Sequence, residues 1–194
     1  VNSFLMTAII NIPKIRIDYV IEQGRMESGM QTVFNILFMP ASVLTLIYIV
    51  FRPLLTKMAI EWNAGRKKGF LKIVSMIFIC LLGISIIVLG GSAWLGIPIL
   101  SILYGLDLSK YRMELLIMIT GGCLCTFSYV FDNALIVIRR QYLLLFSYVL
   151  SWIYIEIVIG KMVDKWGVLG AAFAYSTSMM VFLIVTFLIF IICL

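Results

Sequence analysis

From Trp166 to the final Leu194 the chain carries no charged side chain. That run exceeds the about 20 residues an α-helix needs to cross the hydrocarbon of a bilayer, and in water it would have no polar face to offer. Residues 73–95 form a second run without charge, and residues 33–51, 115–138 and 142–159 are apolar runs whose only charges are Asp132 and Glu156. A backbone in lipid must satisfy its own hydrogen bonds, so runs of this length are read as helices. Residues 1–10 are equally apolar but about half a span long. The expected fold class is therefore an all-α membrane protein with about six transmembrane helices, the first one partial.

Composition agrees with the runs. Hydrophobic residues make up 63% of the chain and charged residues 12%, with a mean hydropathy of +1.15, whereas soluble domains are about 45–50% apolar and about 25% charged. The sequence has no histidine, which removes the commonest general base and metal ligand near neutral pH. The four cysteines, Cys80, Cys123, Cys125 and Cys193, all lie in apolar runs, where a thiol acts as a small hydrophobe and not as part of a disulfide framework. No catalytic centre, metal or cofactor and no nucleic-acid partner is expected. Val1 in place of an initiator methionine, followed by half a span, reads as the continuation of a longer chain.

The charged residues gather between the runs. Residues 11–32 balance Lys14, Arg16 and Arg25 against Asp18, Glu22 and Glu27. Residues 52–72 are strongly basic, with Arg52, Lys57, Arg66, Lys67, Lys68 and Lys72 against Glu61 alone. Gly96-Ile97-Pro98 is expected to interrupt the helix before it, residues 105–114 form a balanced turn, Arg139-Arg140 closes the next span, and residues 161–165 are read as another turn. Short basic loops stay in the cytoplasm. Residues 52–72 and Arg139-Arg140 then share the cytoplasmic side, the three near-neutral segments (residues 11–32, 105–114 and 161–165) face outward, and the C-terminus is cytoplasmic.

Two carboxylates lie inside apolar runs. Asp132 is about 10–12 Å in from Arg139-Arg140 along a helix. Tyr129 and Asn133 flank it, so it is expected to face protein or a cavity and to serve coupling or gating, as a proton or sodium site or as partner to a basic residue elsewhere. Glu156 is assigned the same class, but nearer the outer boundary, within reach of Lys161.

Several strings resemble the polysaccharide flippases of the multidrug, oligosaccharidyl-lipid and polysaccharide exporter superfamily, the O-antigen and capsular repeat-unit transporters. Asn11-Ile12-Pro13-Lys14 is similar to that family's Asn-x-Pro-Lys-Tyr element, with Ile15 where Tyr is usual. The stretch Phe51 to Ala59, followed by Trp62 and Phe70, resembles the segment after the next span. Gly96 to Leu100, then Leu103-Tyr104-Gly105 and Asp107-Leu108, resembles its outer-face element. Arg139-Arg140-Gln141 is similar to its Arg-Lys-Gln ending, and residues 167–174 to the Gly-x-x-Gly-Ala opening of its last helix.

The resemblance implies a transporter of about twelve helices in two lobes around a central cavity, working by alternating access. Residues 1–194 would be the C-terminal lobe, with a missing N-terminal lobe of the same protein as partner. The implied substrate is an undecaprenyl-diphosphate-linked oligosaccharide, moved from the cytoplasmic to the outer leaflet of a bacterial cytoplasmic membrane during capsule or O-antigen assembly. Lys14 and Arg16, with Arg25 in the same segment, are then the candidate substrate-binding cations, because a diphosphate in a membrane cavity needs charge-assisted donors. Other functions to weigh are a drug or cation antiporter of the same superfamily, which would lack the Asn-x-Pro-Lys string, and a membrane-embedded polysaccharide polymerase, for which no long outer loop is present.

Overall fold

The computed structural model describes residues 2–194. It is helical from end to end, with no strand among the described residues. The helices are α1 (Asn2–Glu22), α2 (Met30–Ile47), α3 (Arg52–Asn63), α4 (Lys67–Gly91), α5 (Ile97–Tyr104), α6 (Arg112–Val137) and α7 (Leu144–Cys193). Among the described residues four stretches are long and apolar enough to cross a membrane: Met30–Asn63, Lys67–Tyr104, Ser109–Val137 and Gln141–Cys193.

α7 is not one rod. Gly167 takes φ 58 and ψ −130 in its middle, a backbone conformation open to glycine but strained for residues with a Cβ. In a straight helix Tyr148 and Phe182 would stand about 50 Å apart. Their rings are 4.7 Å apart, so residues 144–166 and 168–193 fold back on each other as an antiparallel hairpin. Small side chains permit this, since Ala171, Ala172 and Ala174 are fully buried in the second arm. The turn expected at residues 161–165 is thus placed at Gly167 instead; nothing in Lys161–Lys165 breaks a helix, and the chain stays helical through it.

Contacts fix the other directions. Tyr111 at the head of α6 meets Met30 at the head of α2, and Tyr48 just past the end of α2 meets Tyr129 low on α6, 6.0 Å between rings. Lys67 at the start of α4 donates to the Leu194 carbonyl, so α4 runs opposite to the second arm of α7. α6 is central. Gly122 brings it against α2 so closely that a Cβ there would lie 2.8 Å from the Ala41 carbonyl oxygen and 2.9 Å from its Cα. α4 and α5 form an outer wall, with Ile79, Ile86, Ile87, Trp94 and Ile102 exposed as lipid-facing side chains would be.

Three expected interruptions are helical. Residues 11–22, read as a polar connection, continue α1 through Pro13, because burial against α7 outweighs the proline's missing donor. The basic segment 52–72 is α3, a short turn and the start of α4. α3 lies on α4 with Met58 fully buried, Trp62 against Phe70 at 5.2 Å, and Arg66 paired with Glu61 at 2.8 Å. Gly96-Ile97-Pro98 does not stop the helix either. Pro98 falls in the first turn of α5, where no donor is demanded, and Ser92–Gly96 forms a π-helical turn that joins α4 to α5. Arg112 donates to the Ala93 carbonyl inside that turn.

Candidate functional site

α1 runs beside the first arm of α7 in the same direction. Ile12 and Glu156 line the same groove, Arg16 lies against Gly160, and Met26 reaches Gly167. The groove has a volume of about 300 Å³ and is lined by Ile12, Ile15, Arg16, Tyr19, Glu156 and Ile159 with Gly160. Nη2 of Arg16 donates to both carboxylate oxygens of Asp164, at 3.0 and 3.1 Å, and its guanidinium sits 4.9 Å from the centre of the Tyr19 ring. Arg25 approaches the same carboxylate at 3.5 Å. One acid therefore holds two guanidinium groups, and the Nε of Arg16 is buried without a partner. An incoming anion can exchange with Asp164 here, because charge-assisted donors are already aimed at an oxyanion.

Glu156 is exposed on this groove. It lies about 16 Å below Gly167 along the helix, near the middle of its arm and not close to the outer end. The displacement follows from the helix continuing past Lys161, and no ion pair joins Glu156 to Lys161 among the described residues.

Lys14 is not part of the groove. Residues two apart on a helix point about 200° apart, whereas on a strand they would share a face. Lys14 accordingly turns the other way, its Nζ 5.1 Å from the centre of the Phe38 ring on α2. The structure thus brings Arg16, Arg25 and Glu156 into one region and leaves Lys14 on another face. Asp18, the nearest acid in sequence, instead accepts from the Gln31 amide at 2.6 Å. The sequence alone does not single out Asp164, which stands among the charged residues 161–165 read as a turn; its partner lies 148 positions away, and no local pattern encodes that.

Asp132 belongs to a separate polar seam inside the bundle. It is 4% exposed, and the Tyr148 hydroxyl donates to its Oδ2 at 2.8 Å. Its Oδ1 is buried without a partner, as are the hydroxyls of Tyr48, Ser147 and Ser151. Asn133 donates to the Tyr129 carbonyl at 2.7 Å. The carboxylate thus faces protein, as its flanking residues imply, but its partner is a neutral hydroxyl, and no salt bridge reaches it among the described residues. A carboxyl with one oxygen free in an apolar interior can take up a proton or a cation. None of these seam residues lines the groove. Comparison with family models, with curated proteins and with solved structures returned no match.

Proposed function

We propose that the chain is the C-terminal lobe of a transporter that flips an undecaprenyl-diphosphate-linked oligosaccharide across a bacterial cytoplasmic membrane, with α1, α2, α4, α6 and the two arms of α7 as its six crossings. The observation that carries this reading is the groove. Arg16 and Glu156 line it, with Asp164 held on Arg16 nearer the outer turn at Gly167, and a charge left in hydrocarbon costs about 2.5–3.5 kcal/mol at the bilayer centre, near which Glu156 lies, and less towards the interface. Such a face belongs against water, and a second lobe across a hydrated cavity supplies it. Arg16 and Arg25 then receive the diphosphate by exchange with Asp164, Lys14 stands on the neighbouring face to steady α1 on α2, and Glu156 and Asp132 serve coupling or gating. The C-terminus lies in the cytoplasm on this reading.

The test is polymer export by cells expressing the full-length protein. Arg16→Gln is expected to abolish export at unchanged protein level, and the charge swap Arg16→Asp with Asp164→Arg is expected to fold without restoring it. Export restored by the swap would make the pair structural and refute the substrate role. The partnerless oxygen of Asp132 favours, as second reading, a drug or cation antiporter of the same superfamily. Ion-driven drug efflux together with normal polymer export in Arg16→Gln would select it.

A further inference from the structure

At the end of the bundle that carries Arg139, Arg140 and Leu194, a second cavity opens between the foot of α2, the start of α3 and α6. It measures about 290 Å³ and is lined by Thr45, Tyr48, Ile49, Arg52, Tyr129 and Asn133. Three features distinguish it from a gap between helices. The Tyr48 hydroxyl, on a residue that is only 6% exposed, makes no hydrogen bond of full geometry, although the Asn133 side chain stands beside it, and native structures seldom leave such a group unsatisfied. Arg52 is exposed and has no acidic partner among the described residues. The remaining polar wall consists of the Tyr129 phenol with the Asn133 amide and the Thr45 hydroxyl, whose donors are held by the Tyr129 and Ser42 carbonyls and whose oxygens can accept from sugar-like hydroxyls, beside the Tyr48 and Tyr129 rings 6.0 Å apart.

The charge is ordered along the cavity. Arg52 is exposed and lines the cavity, whereas Asp132 is buried and does not line it. Asp132 stands behind the wall, one position before Asn133, with its Oδ2 held by Tyr148. A cation at the rim with an acid behind the inner wall disfavours a bare anion driven deep, and disfavours a metal cation beside Arg52. It suits a ligand with a negative group at the rim and hydroxyls within. The volume, at the lower end of ligand pockets, matches a headgroup and not a drug-sized molecule.

We propose that this cavity is a binding site for a phosphorylated polyol, with the phosphate on Arg52 and the polyol hydroxyls on Tyr48 and Asn133. The site does not depend on the flippase reading, since none of its residues belongs to the α1–α7 groove. The ligand is either the phosphoglycerol headgroup of a membrane lipid or a soluble glycerol- or sugar-phosphate.

The experiment is a binding titration of the detergent-solubilised full chain with four probes: dihexanoylphosphatidylglycerol, glycerol 3-phosphate, inorganic phosphate and dihexanoylphosphatidylcholine. A glycerol-phosphate probe is expected to bind, with Arg52→Gln weakening it at least tenfold, Tyr48→Phe weakening it about threefold to tenfold as one hydrogen bond does, and Arg139→Gln leaving it unchanged. Tyr48→Phe is near-isosteric and Arg52→Gln shortens an exposed side chain, and a wild-type elution profile verifies their fold. Binding of the short-chain lipid alone assigns the lipid source, and binding of glycerol 3-phosphate with equal strength assigns the soluble one. The proposal is overturned if neither glycerol-phosphate probe binds, if inorganic phosphate or the choline lipid binds as tightly, if Arg139→Gln weakens binding as much as Arg52→Gln, or if Tyr48→Phe binds as wild type.

Discussion

Removing the Tyr148 hydroxyl tests whether the polar seam around Asp132 holds the bundle together. The bond is short, at 2.8 Å, and its partners are 6% and 4% exposed, so water cannot replace it in place. Tyr148→Phe keeps the ring that lies 4.7 Å from Phe182 and deletes one donor, leaving Asp132 with no partner on either oxygen. An unsatisfied buried group of this kind costs about 1–3 kcal/mol in soluble proteins. Hydrogen bonds inside membrane bundles average nearer 0.6 kcal/mol, with a maximum near 1.7, because the dispersed helices also find partners. The expected loss is therefore about 1–2 kcal/mol.

Asp132→Asn should lose less, since its amide oxygen can accept the same bond without a charge to bury. The double variant should lose less than the sum of the two singles, because removing either partner already breaks the shared bond. Tyr142→Phe is the control: its hydroxyl accepts from Arg140 at 2.8 Å on the exposed surface, where such pairs contribute a few tenths of a kcal/mol at most. Unfolding in mixed micelles with increasing SDS, followed by tryptophan fluorescence, measures all four variants. If Tyr148→Phe matches Tyr142→Phe within about 0.3 kcal/mol, the seam is not a stabilising element and the argument from burial fails.

Gly122→Ala should destabilise by about 1–3 kcal/mol, because its methyl would stand against Ala41 backbone atoms that cannot rotate away; Gly83→Ala, which meets nothing within 4 Å, should be neutral or stabilising in the same assay. Gly167→Ala should cost about 1–3 kcal/mol through the disallowed backbone conformation, and wild-type stability would show that the hairpin turns in some other way. In whole cells a cysteine at Lys110 is expected to react with membrane-impermeant thiol reagents and one at Arg66 to be shielded; the reverse pattern overturns the assigned orientation.

The membrane character and the helical class were legible without any contact, because long uncharged runs have one physical solution in lipid and another in no solvent. The flanking Tyr129 and Asn133 likewise sufficed to turn Asp132 inward. Breaks between helices were read less well. Pro13, Pro98 and the charged residues 161–165 all look like interruptions locally, yet burial of α1 on α7, a π-helical turn before α5 and an unbroken first arm of α7 overrode them.

The sites needed the tertiary structure for a simpler reason. Lys14 and Arg16 look equivalent in the chain, but helical geometry sends one to Phe38 and the other to Asp164. The Arg16–Asp164 pair joins the first helix to the last across 148 positions, and the cavity at Arg52 is assembled from the junction of α2 and α3 and from α6, which is far from both in sequence. Local chemistry dictates which residues must avoid lipid, whereas the meeting of two such residues is decided by how the helices fold back on one another.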